Sequence, residues 1–410
     1  MRTTWERPYP VTPVLPNESL YLASLENACT TLGASKTTFD LDLEDPHHSM
    51  EFEHVGLQSI GYLLPPEVIS SNEIESRLRP VYERLRLPEG RLELMSGIRE
   101  RRLWHPRTRL SDTSARSCQL ALEAAQLAPE KIGCLMHASV CREYLEPATA
   151  CRVHHLCGLP KNCWVYDISN ACLGLLNGVI QIGSLIESGQ IEAGIVVGSE
   201  DSRGLLEATL QQLLNDPTLT RQSIKPAFAS LTIGSGSCAM LVVDRRKYPD
   251  ASPIHCGVVT ANTAFHGLCE SDQDQAGGNM QPLMNTDSEQ LLHAGIATGV
   301  ETFSKLLTES RWDRERIDRT VCHQVGVAHR KLMLESLGLS TEKDHAVFPI
   351  LGNTGSVALP TALGLALSSE FIQAGHRTGL LGIGSGINSL MLAMTMQHTA
   401  SRCEDLSNGS

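Results

Sequence analysis

"NCWVYDISNACLGLLNGVIQIGSLIESGQIEAGIVVGSE", residues 162–200, reads as a strand, a tight turn, a buried helix, a glycine stop and a second strand. The run "GIVVG" is continuously apolar, as a strand covered on both faces should be. Strand, helix and strand in this order predict a βαβ unit and a largely parallel, buried sheet.

The pattern returns later in the chain. "PEKIGCLMHASV" (129–140) precedes the first stretch, and "RERIDRTVCHQV" (314–325) has the same shape. "AVFPILGNTGSVALPTALGLALSSEFIQAGHRTGLLGIGSG" (346–386) then repeats strand, turn, helix, glycine stop and strand. The intervals agree: Asn170 to Gly189 spans 19 residues and Asn353 to Gly375 spans 22, while Ile132 to Asn170 spans 38 and Ile317 to Asn353 spans 36. Pro360 interrupts the second helix, so that helix either holds Pro360 in its first turn or is kinked there. A duplicated chain predicts an α/β fold of layered sheets and helices, with equivalent turns meeting near a pseudo-twofold axis. Cys172, His323 and Asn353 lie on those turns. "SDTSARSCQLALEAAQLAPEKI" (111–132) reads as a further helix, with Ser111 or Asp112 as its cap and Ala115, Cys118, Leu122 and Ala125 on one face.

Residues 1–50 read as an irregular extension without the apolar core of a signal peptide. Met50 is a candidate alternative start. The first half spans 51–245, the second 246–400, and 401–410 form a tail. The chain of 410 residues carries a net charge of −12 and no basic stripe, which argues against a nucleic-acid partner. Its longest apolar run, Ala171–Ile186, contains Asn177 and Gln181 and is shorter than the roughly 20 residues a membrane span needs. None of the 13 cysteines forms a C-x-x-C pair, and the spacing of Cys151, Cys157 and Cys163 fits no zinc site. An odd count without a secretory signal predicts reduced thiols in the cytoplasm.

Cys172 sits where the strand "WVYDI" gives way to the helix. It is either a packed small hydrophobe or a nucleophile whose thiol pKa, ordinarily about 8.5, is lowered by the helix N-terminus. His323 follows an apolar strand, where a ring is available to a site. Asn353, in "LGNTG", either makes the turn or pairs with His323 as a donor to an oxygen that gains negative charge. "GIGSGIN" (382–388) fails the G-x-G-x-x-G spacing of a dinucleotide fingerprint. It is either a plain strand-end turn or a close approach of backbone N–H groups to a reacting carbonyl.

Together these residues resemble the thiolase superfamily, and within it the ketoacyl-acyl-carrier-protein synthase III branch. The resemblance covers roughly residues 54–398. "SGIRERRLW" (96–104) is similar to that branch's N-terminal signature, "NACLG" to its nucleophile turn, "HQV" to its histidine motif and "GNTGSVALP" to its asparagine motif. It implies the αβαβα layered fold of two duplicated halves. It further implies Cys172 as the acylated nucleophile, the backbone N–H groups of Cys172 and Ser385 as an oxyanion hole, and His323 and Asn353 as binders of the second thioester's oxygen. No resident cofactor or metal is implied, only coenzyme A thioesters as substrates. The branch's adenine-stacking tryptophan is replaced by Arg91 here.

Within the branch, "SVCREYLEPATA" (139–150), "CHQVGVAH" and "LLGIGSGIN" look most like the OleA-type acyl-CoA condensing thiolases. Those enzymes join two fatty acyl-CoAs without decarboxylation into a 2-alkyl-3-oxoacyl product. The resemblance assigns Glu146, 26 residues before Cys172, as the base that removes the α-proton, reaching across a homodimer into the partner's site. By itself Glu146 reads as a surface-loop residue before Pro147. Two alternatives stand beside this reading. One is a decarboxylative synthase III that takes acyl-CoA and malonyl-acyl-carrier protein. The other is a non-catalytic partner subunit of a paired synthase.

Overall fold

The computed structural model describes residues 49–144, 146–271 and 284–408. The expected irregular extension, up to residue 48, and residues 409–410 of the tail lie outside them.

Two sheets form the frame. The first contains β1 (Val55–Leu64), β2 (Cys134–Ala138), β3 (Trp164–Ile168), β4 (Ala193–Glu200) and β5 (Gly236–Asp244). The second contains β6 (Ser252–Ala261), β7 (Arg319–Cys322), β8 (Arg377–Gly384) and β9 (Asn388–Thr395). β10 (Ala400–Asp405) returns to the first sheet and runs parallel to β1. The orders are β3-β2-β4-β5-β1 and β7-β8-β9-β6, and the sheets touch where Gly56 and Leu57 pair with Pro253 and Ser252.

Alternation along the strands decides the layers, because successive side chains leave a strand on opposite faces. In β5, Cys238, Met240 and Val242 face a core shared with Leu175, Val179, Leu359 and Leu363, whereas Ala239, Leu241 and Val243 face Ala115, Cys118 and Leu122. In β9, Leu390 and Leu392 join the shared core, whereas Met391 and Ala393 face Phe303, Leu306 and Met333. Helices α2 (Gly174–Glu187) and α5 (Ala358–Ser368) thus lie between the sheets. Helix α1 (Leu110–Ala125) covers the outside of the first sheet, and α3 (Ser288–Ser310) and α4 (Val327–Leu337) cover the outside of the second. This is the αβαβα layering that the resemblance implies. Pro360 occupies the first turn of α5, where its missing N–H leaves no helical bond unmade.

Three expectations need correction. The sheets are mixed rather than largely parallel: β2–β3, β2–β4 and β7–β8 pair parallel, but β4–β5, β1–β5, β8–β9 and β6–β9 pair antiparallel. The connection from β8 to β9 is a short turn, which only an antiparallel pair allows. The second half lacks a counterpart of β3, because Phe348–Leu351 forms a helical turn whose Pro349 has no N–H to give a ladder. Neither Ser111 nor Asp112 caps α1. The cap position is Arg109, and both residues are instead engaged by Arg152, at 2.9 and 2.7 Å.

Among the described residues, no helix is long and apolar enough to cross a membrane.

Candidate active site

The chain leaves β3 and reaches Cys172 through a single tight turn, Ala171–Leu173, that feeds directly into α2. Ala171 holds φ at +42°, a left-handed conformation that costs a non-glycine residue free energy and lifts the next side chain out of the strand direction. Asn170 braces the turn: its amide donates to Asn177 Oδ1 at 2.7 Å and its Oδ1 accepts from Asn388 at 3.2 Å. Asn388 ends the turn that also carries Ser385. A β-carbon on Gly382 would lie 2.7 Å from Leu173, so only glycine lets the end of β8 come this close. Two residues on, a β-carbon on Gly384 would lie 3.6 Å from the Cys172 backbone nitrogen, so this turn borders that of Cys172.

His323 leaves the end of β7 with its backbone N–H on the Leu381 carbonyl of β8, at 3.0 Å. Its side chain is 6 % exposed, and its ring stands edge-on to that of His329, 6.4 Å between centroids. Burial, reinforced by His329, brings its imidazole down to about 3, so it is neutral across the physiological range, with one ring nitrogen donating and the other accepting. The next residue, Gln324, is buried and fully used. It donates to the carbonyls of Cys322 and His345 and accepts from the N–H groups of Val347 and Phe348, tying the histidine to the segment leading to Asn353.

Asn353 is held by Thr232 and Gly234, which bracket its backbone at 3.1 and 2.9 Å. Gly234 allows this approach, since a β-carbon there would stand 2.0 Å from the Leu351 carbonyl oxygen. The following turn, Gly355–Val357, packs against the turn of Cys172. The duplicated turns therefore do meet.

Electrostatics at Cys172 run opposite to the expectation of a lowered thiol. Burial first, and then the negative charge of Glu200, push Cys172 up to about 12. Glu200, the last residue of β4, is 5 % exposed. Its carboxylate accepts N–H groups from Val140, Cys141 and Ser356, at 2.9, 3.1 and 3.3 Å, and the Ser356 hydroxyl as well. Desolvation outweighs these donors and raises its own proton affinity. Cys172 and His323 are thus each uncharged near neutral pH. Sequence reasoning missed Glu200, Gln324 and Ser356. The one available signal was a carboxylate ending the otherwise apolar run "GIVVGSE".

Glu146 stands apart. It is exposed on the loop between β2 and the helix Thr149–Leu156, and among the described residues it makes no hydrogen bond or ion pair. Arg91 opens the helix Arg91–Ser96, with its guanidinium 5.7 Å from the centre of the Phe228 ring. One group of metal-ligating type occurs among the described residues, Glu53, His54 and Glu187, but the Glu187 carboxylate already accepts the N–H groups of the other two.

Residues 307–396 match the family model of the 3-oxoacyl-[acyl-carrier-protein] synthase III C-terminal region. The acyl-CoA:acyl-CoA alkyltransferase of Shewanella oneidensis is 36 % identical over 353 residues, covering 84 % of this chain and 99 % of that protein. The enzyme of the same name from Xanthomonas campestris is 33 % identical over 83 % of this chain and 98 % of its own length. The beta-ketoacyl-[acyl-carrier-protein] synthase III of Aliarcobacter butzleri is 25 % identical over 82 % of this chain and 95 % of its own. Among solved structures, a cysteine-to-serine variant of Xanthomonas campestris OleA with bound lauric acid and lauroyl-CoA superposes with a TM-score of 0.79 at 32 % identity, covering 84 % of this chain and all of that one. With the layered fold, the paired turns and identity above 30 % over nearly the full length of these relatives, the chain belongs to the OleA-type acyl-CoA:acyl-CoA alkyltransferase family, in the ketoacyl-acyl-carrier-protein synthase III branch of the thiolase superfamily.

Proposed function

We propose that this protein is an acyltransferase that joins two fatty acyl-CoAs, without decarboxylation, into a 2-alkyl-3-oxoacyl thioester. The observation that carries the reading is the higher identity to the alkyltransferases than to the synthases III, over similar shares of the chain. The position of Glu146 agrees with it. The cysteine and the glutamate substituted in the Xanthomonas campestris OleA structures stand 26 positions apart, as Cys172 and Glu146 do.

In this reading the Cys172 sulfur attacks the first thioester carbonyl as its proton passes to the neutral His323, and coenzyme A leaves as the thiol. The N–H groups of Cys172 and Ser385 hold the oxyanion. A second acyl-CoA then seats its carbonyl oxygen between the His323 ring and the Asn353 amide. Glu146 of a second copy removes the α-proton, the carbanion attacks the acyl-enzyme carbonyl, and the Cys172 sulfur departs. The only cofactor-like molecule is coenzyme A, which enters and leaves as substrate.

A homodimer is part of the proposal. β3 is an edge strand whose Trp164 is 56 % exposed, and Val140 and Tyr144 are exposed apolar residues on the loop that carries Glu146. An apolar edge next to an unengaged base favours pairing with a second copy. Twelve described cysteines are free thiols, which accords with a cytoplasmic site of action.

The C-terminal family match supports a second reading, decarboxylative condensation with malonyl-acyl-carrier protein. Purified protein given lauroyl-CoA alone decides between the two. Release of free coenzyme A with a branched β-keto product is expected, and product that forms only after a malonyl donor is added would reject the first reading.

A further inference from the structure

The geometry points to Glu200 as a positioning residue that holds the loop bearing Glu146 and the turn bearing Asn353 in one register. One carboxylate bridges two segments far apart in the chain. On one side it accepts the N–H groups of Val140 and Cys141, the first residues of the loop that runs on to Glu146. On the other it accepts both the N–H and the hydroxyl of Ser356, three residues beyond Asn353. Gly355, between Asn353 and Ser356, sits directly over it: a β-carbon there would lie 3.3 Å from its carboxyl atoms. The backbone carbonyl of Glu200 also takes the indole N–H of the buried Trp104, at 3.0 Å, which fixes the end of β4 itself.

The donors are all neutral. Among the described residues no lysine, arginine or histidine pairs with this buried carboxylate. Ion-pair stability is therefore not what it provides. A buried acceptor with four neutral donors specifies geometry, because each donor lost leaves an unsatisfied group in a dry site. Glutamine cannot keep all four bonds. In a Glu200→Gln variant the NH₂ would face either the Cys141 N–H, weakening the hold on the loop, or the Val140 and Ser356 donors, weakening both segments.

This inference rests on the reading of Glu146 as the base, and it predicts a split between the two half-reactions. In that reading acylation uses Cys172, His323 and the N–H groups of Cys172 and Ser385, but neither Glu146 nor Asn353. Condensation needs Asn353 of one copy and Glu146 of the other, and Glu200 holds both segments in each copy; a displacement of about 1 Å at such a centre costs on the order of 10²-fold. The test uses the full-length protein and lauroyl-CoA, with acyl-enzyme followed by intact mass and condensed product by chromatography. In Glu200→Gln the product formed per acyl-enzyme is expected to fall about 10- to 100-fold, a ratio that does not depend on how fast Cys172 acylates. Ser356→Ala, which removes one donor and leaves the loop contacts, should show a smaller fall of the same kind. A folded Glu200→Gln protein with wild-type partitioning, or with equal losses in both steps, overturns the positioning role. If Glu200→Gln does not fold, unchanged partitioning in Ser356→Ala does so. Wild-type protein that makes no product from lauroyl-CoA alone overturns the proposed function instead, a separate outcome.

Discussion

The backbone N–H of Gly355 donates to Oδ1 of Asn353 at 3.1 Å. With its oxygen engaged by Gly355, the amide keeps its NH₂ to donate, as the proposed role of Asn353 requires. Asn353→Asp keeps the acceptor for Gly355 and replaces the free donor with a second acceptor. Condensation should fall on the order of 10²–10³-fold, the usual loss for one oxyanion donor. Acyl-enzyme should still form, and steady-state product assays checked by intact mass test both halves.

The protonated resting thiol makes a titration prediction. With Cys172 pushed up to about 12 and Glu200 a cause of that position, its alkylation by iodoacetamide should climb steadily with pH through the alkaline range instead of levelling near neutrality. Removing the adjacent charge in Glu200→Gln should move the profile toward lower pH. Peptide mapping separates Cys172 from the exposed Cys151 and Cys403. A plateau in the range of an ordinary free thiol, about 8.5, or below would contradict a thiol raised by its surroundings.

A base supplied by a second copy predicts complementation. Cys172→Ala chains should form no acyl-enzyme, and Glu146→Ala chains should acylate without condensing. Co-expressed, the two should recover about one quarter of wild-type condensation, because about half of randomly paired two-fold dimers are mixed and each mixed dimer keeps one whole site. Complete inactivity of the mixed protein would show that Glu146 serves its own chain.

Acid should destabilise the fold before carboxylates titrate. Burial brings His323 down to about 3 and His329 and His137 to about 4. Unfolded, all three bind protons at about 6.5. Between roughly pH 6.5 and 4 the unfolded chain therefore holds protons that the folded one refuses, and stability falls as the pH is lowered. Each histidine contributes about 1.4 kcal/mol per pH unit in that window. Urea midpoints measured on either side of that upper limit should drop accordingly on the acid side, and a flat midpoint would remove the assignment.

Gly234→Ala should act at a distance from the chemistry. Its β-carbon would collide with the Leu351 carbonyl, and overpacking of this kind costs about 1–3 kcal/mol. The displaced backbone is the one that brackets Asn353, so a lowered melting temperature should accompany a condensation defect larger than the acylation defect.

Much of this architecture is legible in the sequence because it rests on periodicity. The apolar runs of β4 and β8 and the repeated spacing to Asn170 and Asn353 mark the duplication, and they place Cys172 and Asn353 on turns that meet. What escapes the sequence depends on partners remote in the chain. Glu200 reads as an ordinary strand-end carboxylate until Val140 and Ser356 are brought to it from opposite halves. The direction of the Cys172 thiol is misread for the same reason: the helix N-terminus is visible locally, but the burial and the anion that overcome it are not. In the second half Pro349 spoils the echo of β3, a local effect that the repeat spacing conceals.

Helices α2 and α5 are apolar on nearly every side because each is sandwiched between two sheets. Severing the gene at the boundary between the halves would therefore not yield two free-standing modules. Each fragment would carry a greasy slab with nothing to cover it, and would be expected to precipitate or to seek out its missing sister. The ancestral duplication has become irreversible, and the two repeats now persist or perish as one.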